Sequence, residues 1–376
     1  MAPDGTNIAE TMAAFAARHI APRRDALLRP GVFPHDLWAA LGDAGLLGIA
    51  VPEKFGGSGG GYRELILTGA AMVRAGGNLG LATSWMGHCL TGHFLLHGFA
   101  TPKQRAHWLP RIARGKATLA VAISEPGAGA HPKHLNSTAR RVAEGWRLDG
   151  EKAYVTNGPI AAAFIVLAVS AVEDGRKRFS AFLLPRDTRG LALTPGPEVD
   201  FLRPAPHCGL TLDGCIAAED ALIGLEGKAF ETMSVPFRDV EDAVAGGTLI
   251  GALRHLIDRA ASAAAPLEGE ARDVAAAELG ALAGLAAGFD QIVLGMPTAI
   301  EGAAVEAPSI GLRLMTPALV DRVKAFYERF GFRLGGADAA LLNDVLKSLD
   351  IAKGPRLAKQ TRLGLSLLDR STSWTT

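Results

Sequence analysis

Two groups of residues have the types and spacing to do chemistry. Cys89, His93 and His97 stand at i, i+4 and i+8, one face of a helix, a spacing able to hold a soft or borderline metal ion. No carboxylate supports that set, and Gly87, Gly92 and Gly98 among its members point to close helix packing instead. The second group is richer. Within residues 120–158, AVAISEPGAGAH is followed, after a hairpin, by DGEKAYVTNG, so that hydroxyls, glycines and charged side chains crowd into two short segments. Nucleotide-loop signatures are missing: Gly115-Lys116 and Gly227-Lys228 lack the upstream Gly and the following Ser or Thr of a P-loop, and no stretch satisfies G-x-G-x-x-G. NAD on a Rossmann unit and ATP on a P-loop are therefore disfavoured. Cys208 and Cys215 have six residues between them, which is no zinc-knuckle spacing, and read as ordinary strand or loop residues.

The elements that must position the second group follow from the patterning around it. Upstream, Leu37, Trp38, Leu41 and Leu46 recur at helical spacing after Pro34, and Thr101-Pro102 opens another helix carrying Trp108 and Leu109. The run FGGSGGG at 55–61 reads as a flexible break between helices. From about 117 to 224 the texture changes to short apolar runs (TLAVAIS, AFIVLAV, FSAFLLP) separated by Gly, Pro, Asn and Asp, a pattern of antiparallel strands and hairpins. From about 227 helix returns with strong Ala enrichment, 16 of the 50 residues in 241–290, and Ala is the best helix former. The expected architecture is α+β: an N-terminal helical domain over 1–116, a central antiparallel, barrel-like β-domain over 117–226, and a C-terminal helical bundle over 227–376.

Composition narrows the function classes. A chain of 376 residues with 48% hydrophobic content can bury a large core. Lys+Arg 39 against Asp+Glu 38 gives a net charge of +1, which offers no basic excess for nucleic acid or an anionic membrane. Three cysteines cannot form a disulfide framework and fit a reducing compartment. The start, MAPDGTNIAE, has no apolar signal core and is not Arg-rich, so the expected location is the cytoplasm. The most apolar run, IAAAFIVLAVSAV, has 13 residues, too few for a membrane span and suited to a buried segment.

SEPGAGA and GEKAYVTNG resemble the two signature segments of the acyl-CoA dehydrogenase family of flavoproteins, and the flanks VFPHDLWAALGDAGLLGIAVPEKFGGSGGG and EDALIGLEGKAF agree with the same pattern. The resemblance is good over residues 30–235 and weak beyond, and it matches the helix, strand, helix order inferred from texture. It implies FAD as cofactor. A flavin ring needs hydrogen-bond donors at its pyrimidine edge and near N5 to stabilise the charge that accumulates on reduction. By this resemblance Ser124 supplies the first, Thr156 the second, Tyr154 holds the aromatic position beside the ring, and Gly129 belongs to the cofactor-binding turn. Inside the first motif Ala130 and His131 replace the family's Ser and Asp.

The family abstracts the α-proton of an acyl thioester with a glutamate while the β-hydrogen leaves as hydride to flavin. Most members carry that glutamate in a late Tyr-Glu-Gly-Thr-like segment; here the match is Ile351-Ala352-Lys353-Gly354, with Lys353 in its place. A minority carry it on an earlier helix, a few residues before a Gly-rich turn of that helix, and EDAVAGGTLIG resembles that alternative, which makes Glu241 the candidate base. The alternative for Glu241 is a solvated helix carboxylate beside Arg238, Asp239 and Asp242. The Arg-x-x-Phe-Gly segment by which a neighbouring subunit grips the flavin does not follow Arg259, Phe332 stands for the usual Gln before Gly335-Gly336, and RPAPHC replaces the customary substrate loop.

The resulting expectation is an FAD-dependent oxidoreductase that dehydrogenates an acyl-CoA or acyl-carrier-protein thioester. Electron-transfer flavoprotein or oxygen would be its acceptor, in a homo- or hetero-oligomer, with no metal, nucleic acid or membrane span. Rival readings are a catalytically silent subunit of a hetero-oligomer, and a flavin monooxygenase or oxidase on the same scaffold.

Overall fold

The computed structural model describes residues 5–372, so the first four residues of the opening segment lie outside it. The chain divides into two compact units built from interleaved stretches. One holds the residues up to Ile8 with Ala26–Leu65 and Gly80–Glu241; the other holds Ala9–Asp25, Ile66–Leu79 and the chain from Asp242 onward. The early helices are α1 (Gly5–Phe15), α2 (Arg24–Leu27), α3 (His35–Asp43), α4 (Tyr62–Gly76), α5 (Leu79–Leu90) and α6 (Pro102–Ala113).

In the first unit α3 starts directly after Pro34 and buries Leu37, Trp38 and Leu41, the face that the sequence spacing picks out. A capping box opens α6: the Thr101 hydroxyl accepts from Gln104 N, the Gln104 side chain accepts from Thr101 N, and Pro102 needs no amide partner. The FGGSGGG run departs from expectation. It is an ordered turn in which Ser58, Gly59 and Gly60 donate to the carbonyls of Gly48, Val51 and Ile49 at 3.0, 2.9 and 2.9 Å. A Cβ on Gly57 would sit 2.1 Å from the Val51 carbonyl oxygen, so glycine here permits close packing rather than motion.

The sheet comprises β1 (Leu119–Ala122), β2 (Thr138–Val142), β3 (Gly145–Thr156), β4 (Ala163–Glu173), β5 (Arg176–Pro185), β6 (Leu191–Thr194), β7 (His207–Ala217) and β8 (Leu222–Ile223). Its order is β6-β7-β3-β2-β4-β5-β8, with β1 pairing β4. The expectation of a purely antiparallel sheet is corrected: β1 and β2 both run parallel to β4, so the sheet is mixed. The cause is the long segment after Ala122, which replaces a hairpin and lets β1 meet β4 in the same direction. The apolar run at 160–172 becomes β4, unbrokenly buried from Ala163 to Val169, as a strand covered on both faces must be. Trp146 packs edge-on to Phe182 at 5.1 Å inside a core that includes Phe164, Leu184 and Leu210.

The later helices are α7 (Val235–Ala264), α8 (Gly269–Glu301), α9 (Glu306–Arg329), α10 (Gly336–Asp350) and α11 (Lys353–Thr372). In the second unit a Cβ on Gly247 or Gly251 would lie 2.4 Å from the carbonyl oxygen of Ile66 or Ala70, so the backbones of α4 and α7 almost touch. Beside them Asp338 collects Arg24 at 2.7 Å, Arg259 at 3.0 Å and His255 at 3.2 Å. Burial opposes its charge, yet the hydrogen bonds from His255 and Arg24 and the nearby guanidinium charges outweigh it and hold the carboxyl well below the usual carboxylate range. Helix α8 carries a window of mean hydropathy 1.5 that is only 28% buried, and by length and composition it could cross a membrane. Between Ala276 and Thr298 its only charged residues are Glu278, paired with Arg329, and Asp290, paired with Arg254.

Candidate functional site

The two motif segments meet at the C-terminal end of β3, where Ala153 N donates to the Ser124 carbonyl. After β1 the chain makes a tight turn in which Glu125 N donates to the Gly129 carbonyl at 2.9 Å and Gly129 N donates back to the Glu125 carbonyl at 3.1 Å. Gly127 and Gly129 take φ of 71° and 55°, a conformation that favours glycine, and no atom lies within 4 Å of a Cβ on either. The turn is anchored to β3, because Ala153 N donates to the Ser124 carbonyl at 2.9 Å. Ser124 is thereby held beside the end of β3, half-buried.

The end of β3 is irregular. Its ladder with β7 shifts register between Lys152 and Val155, and within that bulge Tyr154 adopts φ 57° with its side chain 51% exposed. A left-handed tyrosine costs about 1–2 kcal/mol, so the surroundings must impose it. The bulge turns the ring out of the sheet and returns Val155 to the core. Thr156 follows, half-buried, opposite His207 in the ladder. Burial pushes the His207 imidazole down, and its Nδ1 lies 2.9 Å from the Ala205 carbonyl oxygen, so the ring is neutral at neutral pH. Among the described residues neither the Ser124 nor the Thr156 hydroxyl has a hydrogen-bond partner.

Asn157, φ 63°, closes the edge: its amide donates to the Pro206 carbonyl at 2.8 Å and its Nδ2 to the Ser84 carbonyl at 2.9 Å. Its Oδ1 is buried and unpartnered among the described residues. A Cβ on Gly158 would lie 2.4 Å from Cys208 Sγ, which fixes glycine there. A cavity of about 230 Å³, lined by Pro126, Lys152, Ala153, Thr194, Pro197 and Leu210 among others, opens beside the turn.

Ser124, Gly129, Tyr154 and Thr156 are thus brought to one edge. Glu241 lies elsewhere in the chain, exposed on α7. Its neighbour Asp242 is held by Arg356 at 2.6 Å. Helix α7 runs on through the glycines that follow Glu241, and Gly247 is explained by contact with α4. Lys353, at the late position, is exposed and 3.6 Å from Asp350. The amino end of α10, which follows the late glycine pair, is already filled, because Ala337 N donates to Asp25 Oδ1 at 3.0 Å. Cys89 and His93 turn to backbone carbonyls, those of Leu47 and Ala50, and the segment Thr91–His97 is π-helical, which breaks the common face assumed for the three ligands. His131 is exposed against His134, ring centroids 4.9 Å apart.

Sequence reasoning missed one pair inside the quoted motifs. Lys152 is fully buried and donates to Glu125 Oε1 at 2.8 Å. The legible signal was position: along β3 Trp146, Leu148 and Lys152 share the inward face, and a lysine there demands a carboxylate.

Comparison with known proteins matches residues 3–116 to the model of the acyl-CoA dehydrogenase N-terminal domain and 120–215 to that of the middle domain. Mitochondrial isovaleryl-CoA dehydrogenase of Solanum tuberosum is 30% identical over 251 residues, 66% of this chain and 60% of that protein. Acyl-CoA dehydrogenase FadE12 of Mycobacterium tuberculosis is 32% identical over 226 residues, 60% of this chain and 57% of that one. The matched part of the chain therefore spans about 60% of the length of these relatives. Among solved structures, an acyl-CoA dehydrogenase of Geobacillus kaustophilus superimposes with TM-score 0.82 at 18% identity, covering 98% of both chains. A glutaryl-CoA dehydrogenase of Mycobacterium smegmatis in complex with FADH2 gives 0.79 at 19%, covering 93% of this chain and 90% of that one. At these identities the structural likeness speaks for the fold.

Proposed function

The chain belongs to the acyl-CoA dehydrogenase family, and on that premise we propose that it is an FAD-dependent oxidoreductase that takes a proton from Cα and a hydride from Cβ of an acyl thioester. The observation that carries the reading is the C-terminal end of β3, where Ser124 and Thr156, whose hydroxyls have no partner among the described residues, flank a tyrosine held outward in a left-handed conformation. These residues fit a flavin ring: each hydroxyl is a free donor, and the exposed phenol ring offers an apolar face.

Bound FAD would supply the hydride acceptor, at N5. Ser124 would donate to the pyrimidine edge and Thr156 near N5, both opposing the charge that builds on the ring. Gly129 would leave the turn free of a side chain on the cofactor side. Glu241 would receive the α-proton. Because Glu241 is exposed, a bound thioester would have to cover the carboxylate and raise its basicity by desolvation. An acyl-CoA or acyl-carrier-protein thioester is the proposed substrate and electron-transfer flavoprotein or oxygen the acceptor. Three buried free cysteines support a reducing compartment such as the cytoplasm.

Two observations favour a second reading, a silent subunit of a hetero-oligomer. The late position holds Lys353, and Asp25 occupies the amino end of α10, where an anion would otherwise bind. Titration of flavin-free Ser124→Ala/Thr156→Ala with FAD separates the readings. Under the dehydrogenase reading the variant binds about tenfold or more weakly, as expected for the loss of two modest hydrogen bonds. Equal affinity of variant and wild type would contradict the assignment of the edge.

A further inference from the structure

The segment that carries Ser124 and the strand that carries Tyr154 and Thr156 are bonded by groups that the proposed chemistry does not use. Lys152 Nζ, withdrawn from solvent, donates to Glu125 Oε1 at 2.8 Å and to the Ile123 carbonyl at 3.2 Å. The Glu125 carboxylate is fully engaged: Oε1 also accepts from Ser137 N at 2.9 Å and Oε2 from Asn136 N at 2.6 Å. The Ser124 carbonyl, between them, accepts from Ala153 N. Three consecutive residues of the turn, Ile123, Ser124 and Glu125, are therefore tied to two consecutive residues of β3, immediately before the left-handed Tyr154.

A buried ion pair is a poor way to gain stability, since apolar residues of similar volume often do as well or better. Its directional bonds give something apolar packing lacks, a fixed separation between two backbones. At the far end of the turn the amides of Asn136 and Ser137 close on the same carboxylate, so a single side chain clamps both ends of the segment 125–137. Burial alone would push the Glu125 carboxyl up; the Lys152 charge and the hydrogen bonds from Lys152, Ser137 and Asn136 outweigh it and hold the group ionised.

We propose that Glu125 and Lys152 are positioning residues that fix the Ser124 hydroxyl relative to Tyr154 and Thr156, so that one flavin ring can meet both hydroxyls at once. The proposal rests on the flavin reading of this edge. It assigns a role to Glu125 of Ser-Glu and to Lys152 of Lys-Ala-Tyr, beyond the residues that would touch the ring.

The test uses three full-length proteins: wild type, Lys152→Met, and Glu125→Gln/Lys152→Met. Lys152→Met leaves a carboxylate buried without its cation and should lower the urea midpoint sharply. The double variant removes both charges and should recover most of that midpoint while its FAD dissociation constant, read by fluorescence titration, stays raised about tenfold or more, roughly 1.4 kcal/mol. In the flavin-free proteins the Ala153 and Asn136 amides should exchange with deuterium about tenfold faster in the double variant than in wild type, with core amides of β4 unchanged. A double variant that folds and binds FAD like the wild type would show that the pair merely fills the core, and the proposal falls. If wild type takes up no FAD, the flavin reading itself fails; the exchange contrast still decides whether the pair pins the turn, and equal rates overturn that too.

Discussion

A half-buried hydroxyl left without a partner marks a place for something else to bond, and among the described residues two such hydroxyls, Ser124 in the turn after β1 and Thr156 at the end of β3, lie close together. The carboxylate proposed to work with them, Glu241, is exposed, so its chemistry must depend on being covered. Glu241→Gln keeps shape and removes basicity. The variant should bind FAD normally yet lose flavin reduction by acyl-CoA by roughly 10²–10⁴-fold, the contribution of a positioned general base. Stopped-flow reduction at wild-type speed would exclude Glu241 as base. A second residue-scale prediction concerns His88, fully buried edge-on to Trp38 with Nε2 3.1 Å from the Ile112 carbonyl oxygen. Burial pushes the imidazole from 6.5 down to about 4, so the unfolded chain binds a proton that the folded one refuses between those values. Its contribution is present above pH 6.5 and is lost as pH falls toward 4, an amount on the order of 3 kcal/mol. Urea unfolding of His88→Leu should show a shallower fall over that window than wild type; parallel pH curves would refute the assignment.

Elements show why part of the site could be read from sequence and part could not. Helix α3, the cap of α6 and the buried run of β4 follow from local rules of spacing, capping and length, and all were legible. The positions of Ser124, Tyr154 and Thr156 were legible through two motif words, but the bulge that turns Tyr154 outward was not, because it depends on the pairing of β3 with β7 far along the chain. Mixed strand direction was hidden for the same reason: β1 and β4 look alike whichever way they pair. Glycine misled once: the run at 55–61 reads as slack and is a hydrogen-bonded turn. The glycines after Glu241 lie within a continuous α7 and form a packing surface. Gly247→Ala tests that surface. Helix propensity alone predicts a gain of about 1 kcal/mol, whereas a Cβ 2.4 Å from the Ile66 carbonyl oxygen predicts a net loss on the order of 1–3 kcal/mol by chemical denaturation. A stabilised variant would mean that α4 and α7 are not in that contact.

The whole molecule carries a charge of +1, so no strong net field would steer the proposed anionic thioester, and its affinity would come from local contacts. It also leaves much apolar surface uncovered in the second unit: Leu285 and Leu294 on α8 are 40% and 41% exposed, and Gly280, Gly284 and Gly288 on the same helix have open space where a side chain would be. The expected oligomer, with a copy of itself or with a different chain, would cover such a face, and a two-fold pairing of α8 is the homo-oligomeric form of it. Light scattering should then give a particle at least twice the 39.2 kDa chain mass, reduced by Leu294→Lys; a wild-type monomer would contradict self-association. The most direct measurement of the central claim is the anaerobic visible spectrum of the purified protein with FAD, before and after addition of short-, medium- and branched-chain acyl-CoAs. The account predicts bound flavin that bleaches with at least one thioester. A chain that retains no flavin in excess FAD, or flavin that no thioester reduces, would contradict it.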